Sequence, residues 1–221
     1  MNIAIDLRSL QNGQFTGVEN YTQNLVDALL HLDKGNSYKF FYNRLKAAGQ
    51  ALPEMHYVNS TLIQTRFPNR LLNIGLALKT VKLERLLGPM DCLFLPNLNQ
   101  FNVDQKTKVA MTVHDLSPVV APEFYDFRRR LWHKFLFYKR SLSRADVIFA
   151  VSHYTKQDLL RIYGIPEEKI KVVYPAVEPG STEFTDTQLR AVRNAYGLPG
   201  EFILFLNTIE PRKNLSSLVK A

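Results

Sequence analysis

Two adjacent cations near the carboxyl end of the chain have the chemistry of an anion-binding turn. Arg212 and Lys213 lie in the stretch EPRKN, between an apolar run at 202–207 and a helical pattern that starts at Leu215. A guanidinium, an ammonium and the positive end of a helix dipole would converge there on one anion, and a diphosphate suits that arrangement. The other interpretation, a charged turn that is simply solvated, stays open at this stage.

A histidine and an aspartate follow the apolar run VAMTV. His114 is predicted to lie at the carboxyl end of that strand, where its near-neutral pKa allows it to donate or to accept a hydrogen bond. Asp115 either points inward beside the imidazole or caps the following turn. The alternative for His114 is a buried imidazole with a structural role. We take both residues as candidate catalytic residues.

Three other predicted strand ends carry candidate ligand contacts. In the loop RSLQNGQFTGVE, Gly13, Thr16 and Gly17 would let the backbone approach a ligand in front of a helix N-terminus. Loop flexibility explains the glycines equally well, because the loop lacks the GxGxxG pattern of dinucleotide-binding proteins. Asn97 and Ser152 follow two later apolar runs, and the favoured interpretation of Ser152 is a plain helix N-cap rather than a chemical role.

All these residues follow the carboxyl ends of predicted strands. Apolar runs of strand length alternate with helical patterns, which predicts an α/β fold: a Rossmann-like parallel sheet with helices on both faces. Ligands of such sheets bind in the crevice beyond the carboxyl ends of the strands. Strands are predicted at 2–7, 38–42, within 56–65, and at 92–95, 109–113, 147–151, 171–173 and 202–207. Helices are predicted at 18–33, 68–87, 123–143, 152–163, 187–196 and from 215 onward.

The composition of the sequence changes at Pro175, the first residue of the stretch PAVEPGSTEFTD, which is rich in turn-forming residues. We therefore predict a first domain at 1–176. Residues 177–221 are predicted to form a linker and the start of a second, incomplete domain, because a strand, a charged turn and a helix normally open a domain. The second domain is thus expected to be truncated.

Charge and composition narrow the choice of partners. The net charge is +8, and the stretch 124–145 holds seven Lys or Arg residues against Asp126 alone, interleaved with aromatic residues. Nucleic acid, anionic lipid or an acidic small molecule would suit it, but no nucleic-acid-binding motif accompanies the charge. The scattered histidines give no metal-ligand spacing, so no metal site is predicted. A single cysteine, and no apolar run of bilayer length, favour a cytoplasmic location.

The motifs occur together, in order, in one known family. The chain resembles the N-terminal half of the family 4 (group 1) glycosyltransferases of the GT-B fold, and the resemblance covers nearly all of its length. It is carried by the stretches TGVENYTQNL, LFLPN, TVHDLSPVVAPEFY, SLSRADVIFAVSHYTKQDLLRIYGIPEEKIKVVYPAVE and ILFLNTIEPRKNLSSLVKA. In that family an N-terminal domain holds the acceptor, and a C-terminal domain holds most of the nucleotide-sugar donor.

The resemblance also implies roles for individual residues. His114 resembles the histidine that contacts the transferred sugar, and Arg212 and Lys213 resemble the basic pair that binds the donor diphosphate. The loop 13–17 resembles the one that approaches the phosphates and the sugar. Asn97 and Ser152 would then lie on the acceptor side.

The implied activity is retaining, metal-independent transfer of a hexose from a nucleotide-diphosphate sugar, such as GDP-mannose or a UDP-sugar, to a glycan or lipid-linked acceptor. No cofactor is expected. The basic helix 124–145, with the stretch 68–87, would allow peripheral association with the cytoplasmic membrane face. The family's paired-glutamate signature has no counterpart in these 221 residues, so the chain alone is expected to be an inactive fragment. The alternatives are a non-catalytic half-module that docks a partner subunit or binds an anionic membrane surface, and a nucleotide-sugar epimerase.

Overall fold

The chain forms two compact units, Met1–Pro175 and Ala176–Ala221. Our computed structural model describes residues 1–12, 17–43, 59–127, 130, 138–176, 184–207 and 209–220. In this part of the chain no helix is both long enough and apolar enough to cross a membrane.

The first unit is built on one parallel sheet of seven strands in the order β3-β2-β1-β4-β5-β6-β7. The strands are β1 (Asn2–Asp6), β2 (Ser37–Asn43), β3 (Ser60–Thr65), β4 (Cys92–Leu95), β5 (Lys108–Val113), β6 (Val147–Ala150) and β7 (Ile170–Val172). The predicted Rossmann-like sheet is thus confirmed. From β1 the chain adds β2 and β3 on one side of the strand, and then β4 to β7 on the other side of β1. The topological switch point therefore lies between β1 and β4.

Helices cover both faces of this sheet, because alternate residues of its strands point to opposite sides. Phe40 and Phe94 pack with Val26 of the first helix, whereas Phe41 and Leu93 belong to a second core. That second core contains apolar residues of four other helices. The helices of the first unit are α1 (Gly17–Leu32), α2 (Asn69–Ala77), α3 (Leu83–Leu87), α4 (Ser117–Val120), α5 (Tyr138–Arg144) and α6 (His153–Tyr163).

The single helix predicted at 68–87 is wrong, since α2 and α3 are separate. Helix α2 ends in a Schellman turn: the Thr80 N–H donates to Gly75 O at 2.9 Å, and the Lys79 N–H donates to Leu76 O at 3.2 Å. Lys79 has a left-handed backbone, with φ 60°. Glycine usually occupies this position, and a side chain there costs about 1–2 kcal/mol, which is why the sequence did not indicate the break. Gly75 permits the turn, since a Cβ on it would lie 2.8 Å from Val81.

The predicted start of the basic helix is also wrong. Pro122–Phe124 forms a 3-10 turn and Tyr125 is extended, with φ −115° and ψ 139°. The Tyr125 hydroxyl lies 2.6 Å from Ser117 Oγ, a bond that holds this segment against the preceding turn. Of the predicted helix, the structure describes α5 and residues 127 and 130 as helical, while 128–129 and 131–137 lie outside the described residues.

The second unit contains α7 (Asp186–Tyr196), a 3-10 turn at Pro211–Lys213 and α8 (Leu215–Lys220). Helix α7 begins with a capping box between Thr185 and Gln188. The strand predicted at 202–207 is wrong: these residues pair with no other strand in the described part of the unit. A strand needs a hydrogen-bonded neighbour, and its apolar pattern alone does not supply one.

One carboxylate stabilises the turn between α1 and β2. Asp33 accepts hydrogen bonds from the Gly35 N–H at 2.9 Å, the Asn36 side-chain amide at 2.6 Å and the Tyr38 hydroxyl at 2.6 Å. These bonds, with that from Tyr38 the largest contribution, hold the pKa of Asp33 far below its usual value. The ionised form of Asp33 is therefore more stable in the folded protein than in the unfolded chain.

Replacing Asp33 with alanine should lower the melting temperature at pH 7, because four donors, these three and the Asn36 N–H, lose their acceptor. The unfolded carboxyl has a pKa of about 3.9 and the folded value is lower. The stabilisation is therefore complete above the unfolded pKa and is lost as the pH falls through the folded pKa. Thermal unfolding of both proteins at pH 7 and pH 3 should show the difference narrowing at pH 3. Equal melting temperatures at pH 7 would contradict this account.

Candidate functional site

The carboxyl edge of the sheet gathers the predicted site residues of the first unit. Asn97, His114 and Ser152 follow β4, β5 and β6 within two residues, and Gly17 opens the helix that follows β1. Gly13 and Thr16 lie outside the described residues. Parallel strands end at the same edge, so the sequence order places these residues at one rim of the sheet.

The backbone fixes the tautomer and orientation of His114. Its Nε2 lies 2.9 Å from the Pro96 carbonyl oxygen. A carbonyl only accepts, so Nε2 carries the hydrogen, and in the neutral ring Nδ1 is an acceptor. The side chain is half-buried, and burial lowers its pKa, partly offset by the bond to Pro96 and by the charges of Asp115 and Glu19. At neutral pH the site therefore presents an uncharged imidazole with an acceptor nitrogen.

Tyr21 and Thr155 hold His114 from two helices. The Tyr21 ring meets the imidazole edge-on, with the ring centroids 4.8 Å apart and an interplanar angle of 90°. The Tyr21 hydroxyl lies 3.2 Å from Thr112 Oγ1, and burial raises its pKa. The Thr155 hydroxyl donates to the His114 carbonyl at 3.2 Å. Tyr21, four residues into α1, was not among the predicted site residues.

Tyr21→Ala should raise the pKa of His114 toward its ordinary value of about 6.5, since removal of the ring admits water to an imidazole whose pKa is lowered mainly by burial. Tyr21→Phe keeps the ring and should change the pKa far less. Titration of the histidine ring signals by NMR measures both values, and the remote His31 serves as an internal reference. An unchanged His114 pKa in Tyr21→Ala would show that the tyrosine does not shield the imidazole.

The structure resolves the two alternatives for Asp115 in favour of the cap. The carboxylate is exposed and accepts from the Ser117 N–H at 3.0 Å and the Ser117 hydroxyl at 2.6 Å. Ser152 is the N-cap of α6, since its hydroxyl accepts from the Thr155 N–H at 3.1 Å. Asn97 accepts through Oδ1 from the Leu98 N–H at 2.8 Å. All three side chains thus have local backbone partners.

A buried ion pair at the switch point was not predicted. Asp6 ends β1, and Arg8 binds it through Nε at 2.9 Å and Nη2 at 2.6 Å. The guanidinium also donates to Asn73 Oδ1 on α2 at 3.0 Å and to the Gln100 carbonyl after β4 at 2.6 Å. The pair therefore connects three segments where a ligand of this fold is expected. The available sequence signal was an acid at a strand end with an arginine two residues later. The other partners of Arg8, Asn73 and Gln100, are distant in sequence and could not be predicted from it.

The cationic turn belongs to the second unit. Arg212 donates from Nε to Glu210 Oε2 at 2.6 Å, which fixes the guanidinium at the surface. Asn214 follows in a left-handed conformation, with φ 51°, and ends the 3-10 turn before α8. Within the described residues of both units, no group of three His, Cys, Asp or Glu side chains could hold a metal ion.

Comparison with known proteins places the chain in a family. The sequence profile of Glycosyltransferase Family 4 matches residues 15–180. The serotype-specific mannosyltransferase WbdA of Escherichia coli is 32% identical over 120 residues, which are 52% of this chain and 14% of that protein. The O-antigen chain mannosyltransferase B of Escherichia coli is 28% identical over 116 residues, 52% of this chain and 30% of that protein. The chain thus spans less than a third of these relatives' length.

Solved structures agree on the fold. The crystal structure of Anabaena Alr3699/HepE in complex with UDP-glucose superposes with a TM-score of 0.58 at 17% identity, over 100% of this chain and 56% of that one. At that identity the likeness concerns the fold alone. The match of the family profile extends over most of the sequence. The Rossmann-like sheet of the first unit agrees with that family assignment. The chain belongs to Glycosyltransferase Family 4.

Proposed function

We propose that the protein containing this chain transfers a hexose from a nucleotide-diphosphate sugar to a glycan or lipid-linked acceptor, with retention of configuration and without a metal ion. The observation that carries the proposal is His114: a neutral imidazole, oriented by a backbone carbonyl, at the carboxyl edge of a Rossmann-like sheet. The related mannosyltransferases support mannose as the sugar, so GDP-mannose and UDP-sugars are the first donors to test.

The chemistry assigns different tasks to the two units. Breaking a sugar–diphosphate bond leaves positive character on the anomeric carbon and additional negative charge on the diphosphate. Arg212 and Lys213 would stabilise the leaving diphosphate, and the acceptor nitrogen of His114 would bind a hydroxyl of the transferred sugar. The glycan acceptor would bind along the carboxyl edge of the first unit, near Asn97.

A panel of nucleotide sugars tests this function. The protein should release nucleotide from one donor, and transfer its sugar to a mannose-containing oligosaccharide or lipid-linked glycan, with the anomeric configuration retained. Product without any acceptor would instead favour an epimerase. No turnover with any donor would count against the proposal.

A second candidate function is that of a non-catalytic module that docks a partner subunit. It is favoured by the exposed apolar residues of the second unit, where the side chains of Ile203, Leu204, Leu206 and Ile209 are between 74% and 88% accessible. Such a surface is typical of a segment that packs against another protein surface. Activity that appears only after a co-purifying subunit is added would support this candidate over the first.

Peripheral membrane binding is also part of the proposal. Leu71 in α2 and Leu78 at its carboxyl end are two helical turns apart, and each is 64% exposed. The exposed residues Arg70 and Lys79 are their neighbours in sequence. Leucines flanked by cations suit an anionic lipid surface. Of the basic stretch 124–145, Arg144 is engaged with Asp146 and with backbone carbonyls, so it adds less to this surface than the sequence predicted.

The double variant Leu71→Ser, Leu78→Ser should therefore lose most of its binding to vesicles of phosphatidylglycerol in a sedimentation assay. Leu32→Ser is the matched control, because Leu32 is 85% exposed and ends α1 on the opposite face of the sheet. Equal binding by the double variant and the control would place the membrane contact elsewhere.

A further inference from the structure

We infer that a groove between α2 and α5 is a binding site for a phosphate group. It lies in the first unit and encloses about 190 Å³, and its lining includes Lys79, Gln100, Phe101, Gln105, Arg140 and Arg144. Cations and side-chain amides line it together with an apolar floor, and no acidic residue belongs to the lining. This site is separate from the proposed diphosphate turn and does not depend on the proposed transferase activity.

Its two arginines are held in place before any ligand binds. Arg140 donates from Nη1 to the Ala77 carbonyl at 3.0 Å, and Arg144 donates from Nη2 to the Thr107 carbonyl at 2.8 Å. A guanidinium has five N–H donors in a fixed fork, so Arg140, anchored through one nitrogen, can still present another edge to an oxyanion. Both terminal nitrogens of Arg144 already bind Asp146 and backbone carbonyls, so Arg144 contributes its charge to the groove rather than a free edge. The anchoring reduces the conformational freedom that binding would otherwise remove.

The neighbouring carboxylates do not cancel this charge. Asp104 pairs with Lys82, and Asp146 pairs with Lys108 at 3.0 Å as well as with Arg144. Each acid thus has a lysine partner outside the groove lining. The groove keeps a positive field, to which Lys79 and Arg140 are the main contributors.

The conformation of Lys79 is the independent observation. It occupies the left-handed position of the Schellman turn, with φ 60°, where glycine would fit without strain. Residues strained in this way cluster at active sites and ligand-binding sites. Lys79 is one of the residues that line the groove, so the strained position coincides with a cationic residue of the site.

The size and chemistry of the groove define the ligand. Pockets for drug-sized molecules enclose about 300–1,000 Å³, so 190 Å³ suits a small group rather than a whole nucleotide. Arginine and lysine together are the usual partners of phosphate oxygens. The ligand is therefore a phosphate mono- or diester with a short apolar neighbour, supplied either by a small phosphorylated compound or by a lipid headgroup.

Lys79→Gly separates a binding role from a structural one, because the two predict different results. The variant should melt at a higher temperature than the parent chain, since glycine relieves the left-handed strain. In titrations of the chain with inorganic phosphate at constant ionic strength, followed by amide NMR, it should bind about 10-fold more weakly, as expected for the loss of one charge-assisted contact. Arg140→Gln should weaken binding similarly, and Lys139→Gln, beside the groove lining on α5, should not.

Absence of saturable shifts at residues 76–79, 100–105 and 140–144 would overturn the site, and so would equal phosphate affinity of Lys79→Gly and the parent chain. Two further titrations identify the source of the phosphate. If Arg140→Gln weakens binding to phosphatidylglycerol vesicles, the lipid headgroup is the ligand. If vesicle binding is unaffected while glycerol phosphate binds saturably, a free phosphorylated compound is the ligand.

Discussion

Replacing Arg212 and Lys213 together with alanine should lower kcat/KM for sugar transfer by about 10²- to 10⁴-fold, since each charge-assisted hydrogen bond contributes about 1.5–3 kcal/mol. Both cations lie in the turn Pro211–Lys213, where Glu210 fixes the Arg212 guanidinium. They would bind the diphosphate in the ground state and, more strongly, as its charge grows in the transition state. Donor affinity, measured by calorimetry, should therefore fall by less than kcat/KM does.

A matched control separates this effect from the change in net charge. Arg190→Ala with Lys220→Ala removes the same charge from α7 and α8 of the second unit, and should leave transfer unchanged. Glu210→Gln should cause an intermediate loss, because the Arg212 guanidinium loses its ionic partner. Full activity in the Arg212, Lys213 double variant would show that the diphosphate is bound elsewhere.

The central part of the sheet could be predicted from the sequence because its inner strands are largely buried on both faces. Runs such as KVAMTV in β5 and VIFA in β6 are almost continuously apolar, and such runs are typical of parallel strands. The limits of α6 were equally predictable, since Ser152 caps its start and Gly164 ends it in the left-handed conformation. In each case the determining signal is local.

The errors arose where distant contacts or unusual residues decide the structure. Helix α2 ends at a left-handed lysine, and no propensity scale gives a helix end at such a residue. The segment 202–207 has the composition of a strand, but pairing depends on a neighbour rather than on composition. The periodicity of apolar residues indicates which face of a helix or strand is buried. It does not indicate which side chains contact each other beyond the ends of the strands.

The positions of the candidate residues relative to the sheet were predictable, but their contacts were not. His114 and Asn97 follow the carboxyl ends of strands as predicted, because that placement depends only on strand direction. The contacts of Arg8 with Asn73 and Gln100, and the Tyr21–His114 contact, join residues distant in sequence, so no local pattern indicates them. These contacts connect the segments of the rim and orient the imidazole.

His114→Ala should lower kcat by about 10²- to 10³-fold, the range found when one oriented hydrogen-bonding group is removed from a reacting centre, while donor affinity changes less. The imidazole would contact only the transferred sugar, and the diphosphate would supply most of the donor affinity. His153→Ala is the matched control, because this histidine lies at the exposed start of α6. An equal loss in both variants would mean that His114 has no special role.

The pH dependence of the same reaction gives a sharper test. Burial lowers the pKa of His114 below its usual value, so the ring is neutral at pH 7 and gains a proton only in more acidic solution. Nε2 already carries the hydrogen bonded to Pro96, so the added proton must go to Nδ1 and remove the acceptor that would bind the sugar hydroxyl. Turnover should therefore fall on the acidic side with an apparent pKa below about 6.5, and this limb should vanish in His114→Ala. An unchanged acidic limb in that variant would assign the titration to another group, and the sugar contact would have to be sought there.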